Sequence, residues 1–239
     1  INRPKQLNAL NSQVIIELNK QLVLLQKKQD IRSIIITGAG QKSFVAGADI
    51  KEFQNFNMKQ GKKLSHFGKM KIFDLIANYN KPIISAINGY ALGGGLELAL
   101  ATHIRIASDT AKLGFPECSL GLIPGYGGTQ RLPKVIGVNR AMEMILTAKM
   151  ISADEAYRIG LVNRVVSLDE LIPSCLAISK LFINTSPDSL ESAIKSVNAS
   201  YSNNGDSLES DEFGKLFKTI NFQEGVRAFL EKRKPNFNK

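Results

Sequence analysis

Residues 82–101 leave few folds open. Residues 82–88 (PIISAIN) form an apolar, β-branched run stopped by Gly89, which reads as a buried strand. Gly93, Gly94 and Gly95 then open an apolar segment that reads as a helix to Ala101. The same alternation recurs. Residues 31–37 and 103–108 read as further strands, and 161–166 as a short one. Residues 8–29 read as a helix from Val14, Leu18, Leu22 and Leu25, with Asn11 or Ser12 as its N-cap. The Lys-rich residues 51–80 and the segments 140–147 and 153–159 also read as helical, whereas Gly and Pro at 114–128 predict a shaped loop. Strands alternating with helices imply an α/β domain. After about residue 168 the pattern is helical only, with a polar stretch at 200–211.

Composition removes several classes of function. No apolar run approaches the roughly 18 residues of a membrane span. No charged-then-apolar leader stands at the front, so no signal peptide is expected. The chain opens at Ile1, mid-pattern in what reads as a strand, and a truncated N-terminus is expected. Cys118 and Cys175 cannot build a disulfide framework, and no CxxC offers a zinc site. Two buried, reduced thiols and a reducing compartment are the expectation. His66 and His103 alone give a metal site or a Ser/His/Asp triad little material. Lys and Arg number 31 against 21 Asp and Glu, a net charge of +10. That balance attracts anions, but the lysines are dispersed without interleaved aromatics, as solvated helix faces are.

Gly38-Ala39-Gly40 follows a strand and could begin a dinucleotide fingerprint, but the third glycine position holds Ser43. There is no GxxxxGK[ST] and no GxSxG. Three other segments carry more chemistry. In Ala46-Gly47-Ala48-Asp49-Ile50-Lys51, small residues allow a ligand close to the backbone. At the 88–98 strand–helix junction (NGYALGGGLEL), free amides at a helix start can stabilise an oxyanion. Glu97 lies within a turn of those amides. An exposed first-turn glutamate complementing the helix dipole is the plainer alternative. The third segment, 115–131, holds Glu117 in apolar, Gly/Pro-shaped surroundings, where a carboxylate bonding local amides is again the plainer alternative. Apolar context on both sides favours function, because unpaired buried carboxylates are costly.

These three segments in this order resemble the enoyl-CoA hydratase/isomerase (crotonase) superfamily, and within it short-chain enoyl-CoA hydratases. The resemblance runs from Asn2-Arg3-Pro4-Lys5 and Leu7-Asn8-Ala9-Leu10 to the terminal 229–237 (FLEKRKPNF). It implies an α/β fold, a crotonase-like spiral of ββα units over residues 1–180. A C-terminal helical region used in trimerisation would follow over 181–239, with the family's first strand cut away. It further implies hydration of 2-enoyl-CoA in fatty acid β-oxidation, by a homo-hexamer built as a dimer of trimers. By motif match, the amides of Ala48 and Gly94 form the oxyanion hole. Glu97 is the base that orients water and Glu117 the acid that protonates C2. Ala46, Ala48, Asp49, Ile50, Lys51, Gly94 and Gly125 bind the substrate. No metal and no redox cofactor is expected, since CoA arrives as part of the substrate. Lys5, Lys51 and the 232–234 cluster are candidates for its phosphates.

Leu96 stands where many hydratases have Cys, Tyr126 where a small residue is frequent, and Asn221 where Asp is common. The first two put chain-length preference in question. Other readings are an enoyl-CoA isomerase, a branched-chain or glutaconyl-type hydratase, and an RNA-binding homologue using Lys20, Lys27 and Lys28. Presence of both glutamates argues against the isomerase, and nucleic acid and membrane are not expected partners. A cytoplasmic location is expected, or the mitochondrial matrix for a eukaryotic source.

Overall fold

The computed structural model describes residues 1–237; positions 238 and 239, the end of the expected helical region, lie outside the described residues. In chain order the strands are β1 (Ile34–Thr37), β2 (Ser43–Val45), β3 (Ile83–Ile87), β4 (Tyr90–Leu92), β5 (Ile104–Ser108), β6 (Lys112–Gly114), β7 (Met150–Ser152) and β8 (Arg164–Val166). The helices are α1 (Ser12–Gln26), α2 (Met58–Gly68), α3 (Asp74–Ala77), α4 (Gly94–Ala101), α5 (Gly128–Ile136) and α6 (Val138–Thr147). Then come α7 (Ala153–Arg158), α8 (Leu171–Leu181), α9 (Pro187–Asn198), α10 (Gly205–Leu216) and α11 (Ile220–Leu230).

From β1 to β6, successive strands alternate between two four-stranded sheets. One has the order β1-β3-β5-β8 and is parallel throughout; the other has the order β2-β4-β6-β7, with only the last pair antiparallel. Each of three turns thus lays one strand in each sheet and returns through helix, a ββα spiral. The first sheet reads as continuous apolar runs because helices or the second sheet cover both faces. Along β3, Ile83 and Ile87 enter the main core, while Ile84 and Ala86 pack with Ile106 against Leu171, Cys175 and Ile178 of α8.

Two buried asparagines tie the turns together. Asn88 donates from Nδ2 to the carbonyls of Gly38 and Gly40, and its Oδ1 accepts from Gly38 N. Asn8 donates to Ala39 O and Ser43 O. The Gly38-Ala39-Gly40 segment is therefore a structural turn held by these two side chains, with Gly38 buried and Gly40 exposed. A Cβ on Gly38 would stand 2.1 Å from Ser43 O.

Asn11 caps α1 by accepting from Val14 N. The buried stripe of α1 is Ile15 and Leu22, flanked by half-buried Val14 and Leu18. Residues 51–80 do not form one helix. They divide into a 3-10 turn at Ile50–Glu52, α2, a π-helical turn at Lys69–Phe73 and α3. The 114–128 loop contains a 3-10 turn at Glu117–Leu120. His66 is exposed on α2. His103 accepts from Ile83 N at 2.9 Å, so it helps to join β3 and β5. Asn221 of α11 donates to Asp188 of α9 at 2.7 Å; an aspartate at 221 would face that carboxylate instead. Among the described residues no helix is long and apolar enough to cross a membrane.

Candidate active site

Ala48 lies where the chain after β2 crosses Leu10. The crossing uses Leu10 N, which donates to Gly47 O, and Asp49 N, which donates to Leu10 O. Ala48 N is left over by this pairing. Gly94 is the first residue of α4, so its amide has no acceptor within the helix. A Cβ on Gly94 would stand 3.5 Å from Ala48 N. The two free donors are therefore neighbours, as stabilising one developing oxyanion requires.

α4 is buried on every face, so its first turn delivers Glu97 into the protein rather than into water. Glu97 is 1% exposed, and its Oε1 accepts from Tyr126 N and Gly128 N, both at 2.7 Å. Burial pushes its carboxyl up to about 7, and the charge of Glu117 adds to the rise; the two amides and Arg131 oppose it. Arg131 acts at one remove. It donates to Tyr126 O at 2.9 Å and pairs with Asp74 at 2.7 Å, which fixes the turn that holds Glu97.

Glu117 comes from another segment, the 3-10 turn after β6. It rests on Gly93, where a Cβ would stand 2.5 Å from its Oε1; Gly93 itself has φ of 49°, a region that favours glycine. Its Oε2 is buried with no hydrogen-bond partner among the described residues. Burial pushes this carboxyl up to about 7 as well. A carboxyl so placed keeps its proton up to near neutral pH, so it has one to give there.

Ala48, Gly94, Glu97, Glu117 and Gly125 all line one cavity of about 640 Å³. Its walls are mostly apolar and include Phe53, Phe56, Met58, Leu64, Leu122 and Ile123. Ala46, Asp49, Ile50 and Lys51 lie outside this wall. Ala46 N donates to Leu7 O, and Asp49 pairs with Arg3 at 2.9 Å, so both brace the turn that presents Ala48. Ile50 and Lys51 are exposed on the 3-10 turn beside it, and Lys5 is exposed as well. Within the 232–234 cluster, Arg233 is committed to Glu224 and Glu231, while Lys232 and Lys234 are exposed.

Sequence reasoning missed the anchors of Glu97. The glycines around Tyr126 signalled close backbone approach, and Gly127, with φ of 107°, lets Arg131 fold back over it. Ser65 of α2 donates to Gly125 O at 2.5 Å and ties that helix to the loop; nothing in the pattern of α2 marks it. No group of three or more His, Cys, Asp or Glu suited to a metal ion occurs among the described residues.

A family model described as enoyl-CoA hydratase/isomerase matches residues 1–239. A crotonyl-CoA hydratase of Syntrophomonas wolfei is 44% identical over 99% of this chain and 92% of its own length. A short-chain-enoyl-CoA hydratase of Clostridium acetobutylicum is 43% identical over 98% of this chain and 90% of its own. The crystal structure of an enoyl-CoA hydratase from Bacillus anthracis superposes with a TM-score of 0.92 at 37% identity, covering 99% and 92% of the two chains.

Proposed function

From the premise that this chain belongs to the enoyl-CoA hydratase/isomerase family, we propose that it adds water reversibly across the 2,3 double bond of a 2-enoyl-CoA, giving a 3-hydroxyacyl-CoA. The observation that carries this reading is the pairing of two raised carboxyls, Glu97 and Glu117, with the Ala48 and Gly94 amides around one cavity.

The thioester oxygen takes the two amides. Ionised Glu97 accepts a proton from water as its oxygen bonds to C3. The double-bond electrons move onto C2 and the thioester, and the enolate charge rests on the amides. Neutral Glu117 then gives its proton to C2. Glu97 ends protonated and Glu117 ionised, so one proton moving between them through water restores the pair. Nothing is oxidised or reduced overall, so the scheme calls for no redox cofactor. CoA enters as part of the substrate, and Lys5 and Lys51, both exposed, are candidates to attract its phosphates.

The proposal extends to a homo-hexamer, a dimer of trimers. What supports assembly is apolar surface on the last helices, where Phe213, Ile220, Phe229 and Leu230 are exposed. The activity is placed in the cytoplasm, or in the mitochondrial matrix for a eukaryotic source, in keeping with free Cys118 and Cys175.

Crotonyl-CoA, followed by loss of the enoyl-thioester ultraviolet band, tests the reaction. Rapid loss with formation of 3-hydroxybutyryl-CoA is expected. If no 2-enoyl-CoA is hydrated while a 3-enoyl-CoA is converted to its 2-enoyl isomer, the chain is an isomerase.

A further inference from the structure

Tyr126 lends its amide to Glu97, but its ring has a separate place in the cavity wall. The ring lies between two glycines. A Cβ on Gly68 would stand 2.4 Å from Tyr126 Cε1, and one on Gly94 would stand 3.5 Å from Cδ2. One ring face stacks on buried Phe73, with centroids 4.8 Å apart and planes inclined by 13°. The residue is 6% exposed, so the ring has little room to swing aside. Its hydrogen bonds among the described residues are made by the backbone alone.

We propose that the Tyr126 ring is the specificity-determining wall that stops the acyl chain, restricting this enzyme to short 2-enoyl thioesters. The inference rests on the hydratase reading. If the thioester oxygen sits on the amides of Ala48 and Gly94, C2 and C3 lie a bond or two away, between the glutamates. The ring packs against that same Gly94, so carbons beyond C3 soon meet it. Leu96, the other departure from the family pattern near this site, is fully buried and does not line the cavity; the structure takes chain-length choice away from it. Rigid apolar walls discriminate by roughly 10–200-fold for one misfitting methylene.

The test is kcat/KM for 2-enoyl-CoA esters of four to ten carbons, measured on the wild type, Tyr126→Ala, Tyr126→Leu and Tyr126→Phe. The wild type should fall steeply with length. Tyr126→Ala should raise the ten-carbon to four-carbon ratio at least about tenfold, Tyr126→Leu by less, and Tyr126→Phe should keep the wild-type slope. The leucine variant retains apolar volume over Phe73 and carries the test if the alanine variant does not fold. Equal loss at every length in the alanine or leucine variant would make the ring a packing element only and overturn the proposal. A flat wild-type profile would overturn it as well. No hydration of any ester by the wild type would instead sink the hydratase reading on which it rests.

Discussion

Glu97 and Glu117 are held in one cavity with both carboxyls pushed up to about 7, an arrangement with a stability cost. A carboxyl whose folded value lies above its unfolded one binds its proton more tightly in the folded state. Stability is then unpenalised below the unfolded value of 4.5 and falls as pH rises toward 7. Gln at 97 keeps an oxygen for the Tyr126 and Gly128 amides but removes the charge. Glu97→Gln should therefore raise stability at pH 8, on the order of 3 kcal/mol, with little gain at pH 4; thermal melts across pH measure this. A gain independent of pH would show that the buried charge is not the cause. In the proposed mechanism the same two groups set the rate. That mechanism needs ionised Glu97 and neutral Glu117, so kcat/KM should peak near pH 7. It should fall on the acid side as Glu97 takes up a proton, and on the alkaline side as Glu117 loses its own. A plateau extending well above pH 8 would remove Glu117 from the role of acid.

The junction from β4 to α4 presents Gly94 and Glu97 together, and close packing holds it. A Cβ on Gly95 would stand 1.9 Å from Val45 O, so α4 can lie on β2 only because position 95 is bare. Gly95→Ala should cost several kcal/mol, or abolish folding, since backbone rather than a flexible side chain stands in the way; urea unfolding measures it. Near-wild-type stability would mean that α4 sits further from β2. This junction was legible in the sequence because a long apolar strand, a glycine cluster and an apolar helix follow one another. β1, β3 and β5 were legible for the same reason, being runs of four or five apolar or alternating residues. The whole second sheet was not. β2, β4, β6 and β7 have three residues each, too few for alternation to register, and Gly or Lys occupies some of their positions. The breaks within residues 51–80 were hidden too, because the amphipathic pattern runs on through the π-helical turn at Lys69–Phe73. Glu97, Glu117 and the two amides were readable as local motifs. The Arg131–Asp74 pair and the Ser65 bond to Gly125 depend on contacts between distant segments, which no local pattern records.

For the whole molecule, the spiral brings three separated segments to one cavity, while the final helices leave large apolar residues in water. Ile220, Phe229 and Leu230 are each more than 70% exposed in the single chain. Equilibrium sedimentation should find a multiple of the 26.2 kDa chain mass, expected as three or six copies. Phe229→Glu with Leu230→Glu should shift it toward the monomer, and a wild type that is monomeric at micromolar concentration would contradict that assignment. The proposed hydration depends on two carboxyls acting as one unit. Its most direct measurement is kcat on crotonyl-CoA for Glu97→Gln, Glu117→Gln and the double variant. Each single change should lower kcat by roughly 10²–10⁴-fold, and the double should be little worse than the weaker single, because either loss already breaks the proton path. A single variant that hydrates crotonyl-CoA at the wild-type rate would contradict the two-glutamate mechanism.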